Sequence, residues 1–190
     1  QARRHPVERA VHSINRRRFA ALALGLFLLP TSFAAEATDV IKVGEFSFKR
    51  PAGWTSVTPA SSMRAAQLKI TGAKDETAEV VFFHFGPGDG GAIKANVDRW
   101  LTQFKEPRDK LNAKVEEVPV GSRKITYVQA EGTYAASMAG HASAPIANAM
   151  LLGAILESDK GNVFIKLTGP ATVVKPAKES FRAMSESAVK

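Results

Sequence analysis

The stretch that decides the fold runs Glu79-Val80-Val81-Phe82-Phe83-His84-Phe85-Gly86-Pro87-Gly88-Asp89-Gly90-Gly91-Ala92-Ile93. Its first part is apolar on both alternating faces, which predicts a central strand over Glu79–Phe85 covered on each side. Glycines then lead into Ile93, Val97, Trp100, Leu101 and Phe104, whose spacing predicts one amphipathic helix from Ala92 to Lys105. Gly86, Gly88 and Gly91 satisfy G-x-G-x-x-G between a strand and a helix, where backbone amides can cradle a phosphate. A dinucleotide fold would need a parallel apolar strand after the helix, ending in an acid. The segment in that place, Val115-Glu116-Glu117-Val118-Pro119, is short, polar and interrupted by proline, and Asp89 within the loop would repel a phosphate. The loop therefore reads as a strand-to-helix turn.

Working outward, Val43–Arg50 alternates Phe46 and Phe48 with polar residues and closes at Pro51-Ala52-Gly53-Trp54, predicting a half-buried strand. Arg64–Ile70 predicts a second strand, joined to the central one by the polar turn Lys74-Asp75-Glu76-Thr77. Further strands are predicted over Lys114–Val120, Lys124–Tyr134, Met150–Ser158 and Asn162–Thr168, the last pair forming a hairpin through Asp159-Lys160-Gly161. A closing helix is expected near Pro176, with Ala177, Phe181, Met184 and Ala188 on one stripe. Strands joined by such short turns cannot all be parallel, so the fold class is α+β, a mainly antiparallel sheet packed by two helices. Ala135–Ala149 holds almost only small residues and predicts a mobile surface loop between two strands.

The 190 residues carry 26 Lys plus Arg, 18 Asp plus Glu and no cysteine. Disulfides and thiolate chemistry are thereby excluded. Arg16-Arg17-Arg18, the apolar run Phe19–Leu29 and Pro30-Thr31-Ser32-Phe33-Ala34-Ala35-Glu36-Ala37 have the layout of an export signal cleaved after Ala34 or Ala37. The apolar run is too short to span a bilayer. Asn15-Arg16-Arg17-Arg18-Phe19-Ala20 fits a twin-arginine signal, and a Sec signal with three arginines fits equally. The expected organisation is residues 1–34 as signal with an N-terminal extension and 35–190 as one globular domain, periplasmic or secreted. Removal of Arg3, Arg4, Arg9, Arg16, Arg17, Arg18 and Glu8 leaves 20 basic and 17 acidic residues, so a net charge of +8 becomes +3. The remaining charges are interspersed, which argues against nucleic acid as a partner, and no membrane span is expected after signal removal.

Candidate chemistry is sparse. Asn96, Arg99 and Gln103 form a polar row at i, i+3, i+7 beside Trp100. Such a row can be the rim of a binding groove, Arg99 anchoring an anionic or carboxylate group, or a solvated shoulder whose Asn and Gln satisfy backbone groups; the residue types alone favour the shoulder. His84 and His141 are the histidines of the expected mature chain, and there is no G-x-S-x-G or H-E-x-x-H motif. His84 reads as a core or sheet-face residue. Met138 and His141 pair a thioether with an imidazole, ligands suited to Cu(I).

Phe46–Trp54, Phe85–Phe104 and Phe164-Ile165-Lys166-Leu167-Thr168-Gly169-Pro170 with Phe181 and Met184 resemble an uncharacterised family of exported bacterial proteins whose layout is similar to the Mog1/PsbP-type α/β/α sandwich. The resemblance implies shape, and a group known mainly for binding and assembly modules. The resulting expectation is an exported, soluble, non-catalytic binding or accessory module with no implied cofactor and a protein or small-molecule partner, its candidate contact surfaces being the loop with Gly86, Gly88 and Gly91, the row Asn96, Arg99 and Gln103, and the Ala135–Ala149 loop. Its rivals are a periplasmic copper handler at Met138 and His141 and a hydrolase or transferase acting near the Gly86–Gly91 loop.

Overall fold

The computed structural model describes residues 39–135 and 144–190. In chain order the strands and helices are β1 (Val40–Val43), β2 (Phe46–Lys49), β3 (Thr55–Ser56), β4 (Ala66–Thr71), β5 (Thr77–His84), α1 (Ile93–Leu101), β6 (Lys114–Val120), β7 (Arg123–Tyr134), β8 (Ile146–Leu156), β9 (Val163–Pro170) and α2 (Ala171–Ser187). Seven strands form one sheet in the order β3-β4-β5-β9-β8-β7-β6, each neighbour antiparallel to the next. The fold is α+β with an antiparallel sheet and two helices, as the turn lengths predict. β5 lies inside the sheet between β4 and β9; the face with Val80 and Phe82 is packed by α2 and β2, whereas the face with Val81 and Phe83 is left open by α1, so among the described residues the expected cover on each side holds for one face only.

Alternation sorts the side chains into two layers. One face carries Leu68, Val80, Phe82, Ile165 and Leu167, packed by Val174, Phe181 and Met184 of α2 and by Phe46 and Phe48 of β2. The other carries Val128, Leu151, Ile155 and Phe164, packed by Val97, Trp100 and Leu101 of α1. The two helices therefore lie on opposite faces. Width then decides what is covered: seven strands span about 29 Å across the sheet, whereas one helix is about 10–12 Å wide. On the first face α2 shares the task with the β1–β2 hairpin. On the second, α1 is joined by Phe104 and Leu111 of the segment after it, and among the described residues the surface over β4 and β5 stays open.

Gly153 fixes where α1 sits. A Cβ built there would lie 2.3 Å from Trp100 Cζ3, so only glycine lets the indole rest on the β8 backbone.

Four boundaries differ from the sequence expectation by more than two residues, each for an identifiable reason. Val43–Arg50 is not one strand: Val43 ends β1, the chain turns at Gly44 (φ 57°), where a Cβ would meet the His84 ring at 2.9 Å, and Phe46–Lys49 returns as β2. α1 stops at Leu101 and does not reach Lys105, because the next residues bond to the overhanging end of β7. Lys105 N–H donates to Thr133 O at 2.9 Å and Ala135 N–H to Gln103 O at 2.8 Å. α2 starts at Ala171, directly after β9, and holds Pro176 inside it; the bond that proline cannot donate is outweighed by burial of Val173 and Val174 ahead of it. β8 begins at Ile146, so 146–149 belong to a strand and not to the predicted loop. Among the described residues no helix is long and apolar enough to cross a membrane.

Candidate functional site

The open half of the second sheet face forms a groove of about 750 Å³, floored by β4, β5 and β9 and walled by α1 and the turn after it. Its floor is set by strand register. Gln67 pairs with Val81, Val81 with Lys166, and Lys166 with Gly153, so these residues form one row across the sheet. Lys69, Glu79, Thr168 and Leu151 form the row on one side, and Phe83 and Phe164 face each other on the other side. Rows on one face are two residues apart, about 7 Å along the strands.

Lys166 is the unusual member. Its neighbours Val163, Phe164, Ile165 and Leu167 are buried and apolar, so β9 places an ammonium in the middle of the sheet. Nζ donates to Gln103 Oε1 at 3.0 Å and to Tyr134 Oη at 3.0 Å, while Tyr134 Oη itself donates to Gln103 Oε1 at 2.9 Å. Burial pushes the Lys166 pKa down to about 8; Glu79 opposes the shift, and Arg64 and Arg99 reinforce it. Burial also pushes the Tyr134 phenol up to about 12, so it stays protonated across the physiological range.

The remaining charges surround this cluster. Arg64 pairs with the Glu79 carboxylate and donates to Gln67 Oε1 at 2.9 Å, and Gln67 in turn donates to Glu79. Arg99 bonds Asn96 Oδ1. Glu79 is thus occupied by Arg64 and Gln67, and among the described residues neither Lys166 nor Arg99 has a carboxylate partner. The other end of the groove is aromatic: Phe83 stacks on Phe85 with ring centroids 6.3 Å apart, and Phe85 meets Phe164 at 6.2 Å. Phe85 and Met63 at the rim are 40% and 57% exposed. The groove therefore offers cationic and hydrogen-bonding groups at one end and an aromatic surface at the other.

Of the residues singled out in the sequence, Asn96, Arg99 and Gln103 line this groove, whereas Gly86, Gly88 and Gly91 do not. Asn96 is 2% exposed, and its Nδ2 donates to Gly90 O at 2.7 Å and Ala92 O at 3.1 Å. It ties the glycine loop to the helix, and those donors are spent on carbonyls. Gln103 lies beyond the C-terminus of α1 and serves as the acceptor shared by Lys166 and Tyr134. Gly86, Gly88 and Gly91 have φ of 90°, 77° and 76°, so their glycines serve the turn. His84 alternates with Phe83 and lies on the opposite sheet face, its Nδ1 3.4 Å from Asn162 O. Met138 and His141 lie outside the described residues. Among the described residues no three His, Cys, Asp or Glu side chains are grouped to hold a metal ion.

Lys166 and Tyr134 escape motif reading. The available signal is a single charge in Val163-Phe164-Ile165-Lys166-Leu167, a strand otherwise apolar on both faces. No protein-family model matches the chain, and no curated protein is significantly similar to it. The functional reading rests on the groove itself.

Proposed function

We propose that the protein is an exported, soluble, non-catalytic binding module of the Mog1/PsbP-like type whose ligand is a small organic anion with an apolar body. The carrying observation is Lys166, an ammonium held at the centre of the sheet beside Arg99, with no carboxylate for either cation among the described residues. An incoming carboxylate, sulfonate or phosphate would be the missing partner, and charge-assisted bonds of this kind contribute about 1.5–3 kcal/mol. The aromatic row one strand repeat away suits the ligand's body, and the exposed Phe85 and Met63 at the mouth support an apolar component. The two helices on opposite faces of an antiparallel sheet support the Mog1/PsbP-like architecture.

Two fluorescent probes of similar shape test the reading: 1-anilinonaphthalene-8-sulfonate, an aromatic anion, and the uncharged N-phenyl-1-naphthylamine. The anion is expected to bind more tightly. Arg99→Met and Lys166→Met are each expected to weaken it about tenfold or more, which corresponds to about 1.4 kcal/mol, with little effect on the neutral probe. Equal affinities for the two probes, both indifferent to these substitutions, would remove the basis for the proposal.

A further inference from the structure

We propose that Lys166 captures its ligand covalently, its amine condensing reversibly with the carbonyl group of an aldehyde that also carries an anionic group. This rests on the groove being the ligand site and specifies the ligand class within it. The geometry assigns three roles to three side chains. Lys166 lines the groove and carries the only side-chain amine on β9, the strand at the centre of the sheet. Tyr134 Oη stands 3.0 Å from it, close enough to exchange protons with atoms bonded to that nitrogen. Gln103 Oε1 accepts from both, at 3.0 and 2.9 Å, and fixes the pair in position. Arg99 on the adjoining wall is placed for the anionic group, and the Phe83, Phe85 and Phe164 rings for the rest of the molecule.

The reaction balances without an oxidant or reductant. Lys166 first loses a proton to water. Its lone pair then forms the C–N bond at the carbonyl carbon as the C=O π electrons move to oxygen, and transfer of a proton from nitrogen to that oxygen gives the carbinolamine. Tyr134 donates its phenolic proton to the carbinolamine hydroxyl, which leaves as water while nitrogen forms the C=N bond. The phenolate takes the proton back from the iminium nitrogen. The sum is amine plus aldehyde giving imine plus water. The burial of the amine favours the first step. With a pKa of about 8 the amine is substantially unprotonated in mildly basic solution, whereas a lysine at 10.5 is not. Tyr134, pushed up to about 12, is protonated where the amine is free but is a weakened acid, so its part in the dehydration rests on its position 3.0 Å from Nζ.

The test uses the full folded chain, 4-carboxybenzaldehyde as probe and sodium cyanoborohydride to reduce any imine to a stable amine, with sites mapped by peptide mass spectrometry. Lys166 is expected to be labelled at least about tenfold faster than any surface lysine, with a rate that rises with pH through a midpoint near 8. Tyr134→Phe should lower that rate severalfold while circular dichroism shows the fold intact, and Lys166→Arg should abolish the adduct. Labelling spread evenly over surface lysines, or a Lys166 rate without that midpoint, overturns the proposal. The sulfonate probe separates the two failures. Preserved tight binding of the probe to the wild-type protein, with no selective labelling, rejects imine formation alone; loss of both rejects the groove as a ligand site.

Discussion

Replacing Lys166 by Met should make the protein more stable, because the native state holds this ammonium where charge is disfavoured. The magnitude comes from the pKa. A fall from 10.5 to about 8 is about 2.5 units, or about 3 kcal/mol at 1.36 kcal/mol per unit. Contact with water in the open groove reduces this to about 1–3 kcal/mol. Tyr134 and Gln103 keep their mutual bond after the substitution, so no buried polar atom of the pair is orphaned. The pH dependence is the sharper test. Between the folded pKa near 8 and the unfolded value of 10.5, the unfolded chain binds the proton and the folded one increasingly does not. Wild-type stability should therefore rise with pH across that window. The phenols act in the opposite sense: Tyr127 and Tyr134, both pushed up to about 12 by burial, hold protons that the unfolded chain releases, so their contribution falls as pH passes 10. The clean window is pH 8 to 10. Urea denaturation across it should show wild type gaining stability relative to Lys166→Met, with the variant more stable at pH 7 and its Tm higher by about 2–4 °C per kcal/mol. Parallel profiles for the two proteins between pH 8 and 10 would refute the reasoning.

Gly153→Ala should force Trp100 off the sheet, since the new methyl would lie 2.3 Å from the indole; overpacking of this kind costs about 1–3 kcal/mol and should appear as a lower urea midpoint and a changed near-ultraviolet circular dichroism signal. Glu79→Gln removes the carboxylate that raises the Lys166 pKa, so the midpoint of Lys166 labelling should move below 8 and the sulfonate probe should bind several times more tightly; an unchanged midpoint would show that Glu79 does not act on Lys166 electrostatically.

The antiparallel α+β architecture is legible because its signals are local: Phe46 and Phe48 alternate, Asp159-Lys160-Gly161 marks the turn inside the six-residue connection 157–162, and Trp100 sits on a clean helical stripe. Boundaries shift where long-range pairing overrides local preference. Residues 102–105 continue the helical spacing of α1, but the unpaired edge of β7 offers their backbone better partners. Pro176 suggests a helix start because proline tolerates a first turn, whereas burial of Val173 and Val174 carries the helix back to Ala171. The site is legible only in part. Arg99 and Gln103 stand out by their helical offset, but their partners Lys166 and Tyr134 come from β9 and β7, which are brought beside α1 by sheet order alone. Nothing in the sequence separation of 63 residues between Gln103 and Lys166 announces that contact.

The arrangement of layers explains why the groove lies where it does. A face covered by one short helix and the segment after it across seven strands leaves some strands bare among the described residues, and these include β4 and β5, next to the strand that carries Lys166. Had the open surface been only a packing shortfall, an apolar or short polar residue at 166 would have satisfied it without desolvating a charge. Instead the chain holds an ammonium there, surrounds it with Gln103 and Tyr134, and gives Glu79 to the neighbouring Arg64, so that among the described residues Lys166 and Arg99 have no carboxylate. A position that works against stability while its hydrogen bonds are carefully satisfied is more simply explained by a ligand than by the fold. The aromatic row at Phe83 and Phe164 adds direction: a molecule anchored at Lys166 must place its body on those rings or in water, and the exposed Phe85 edge favours the rings.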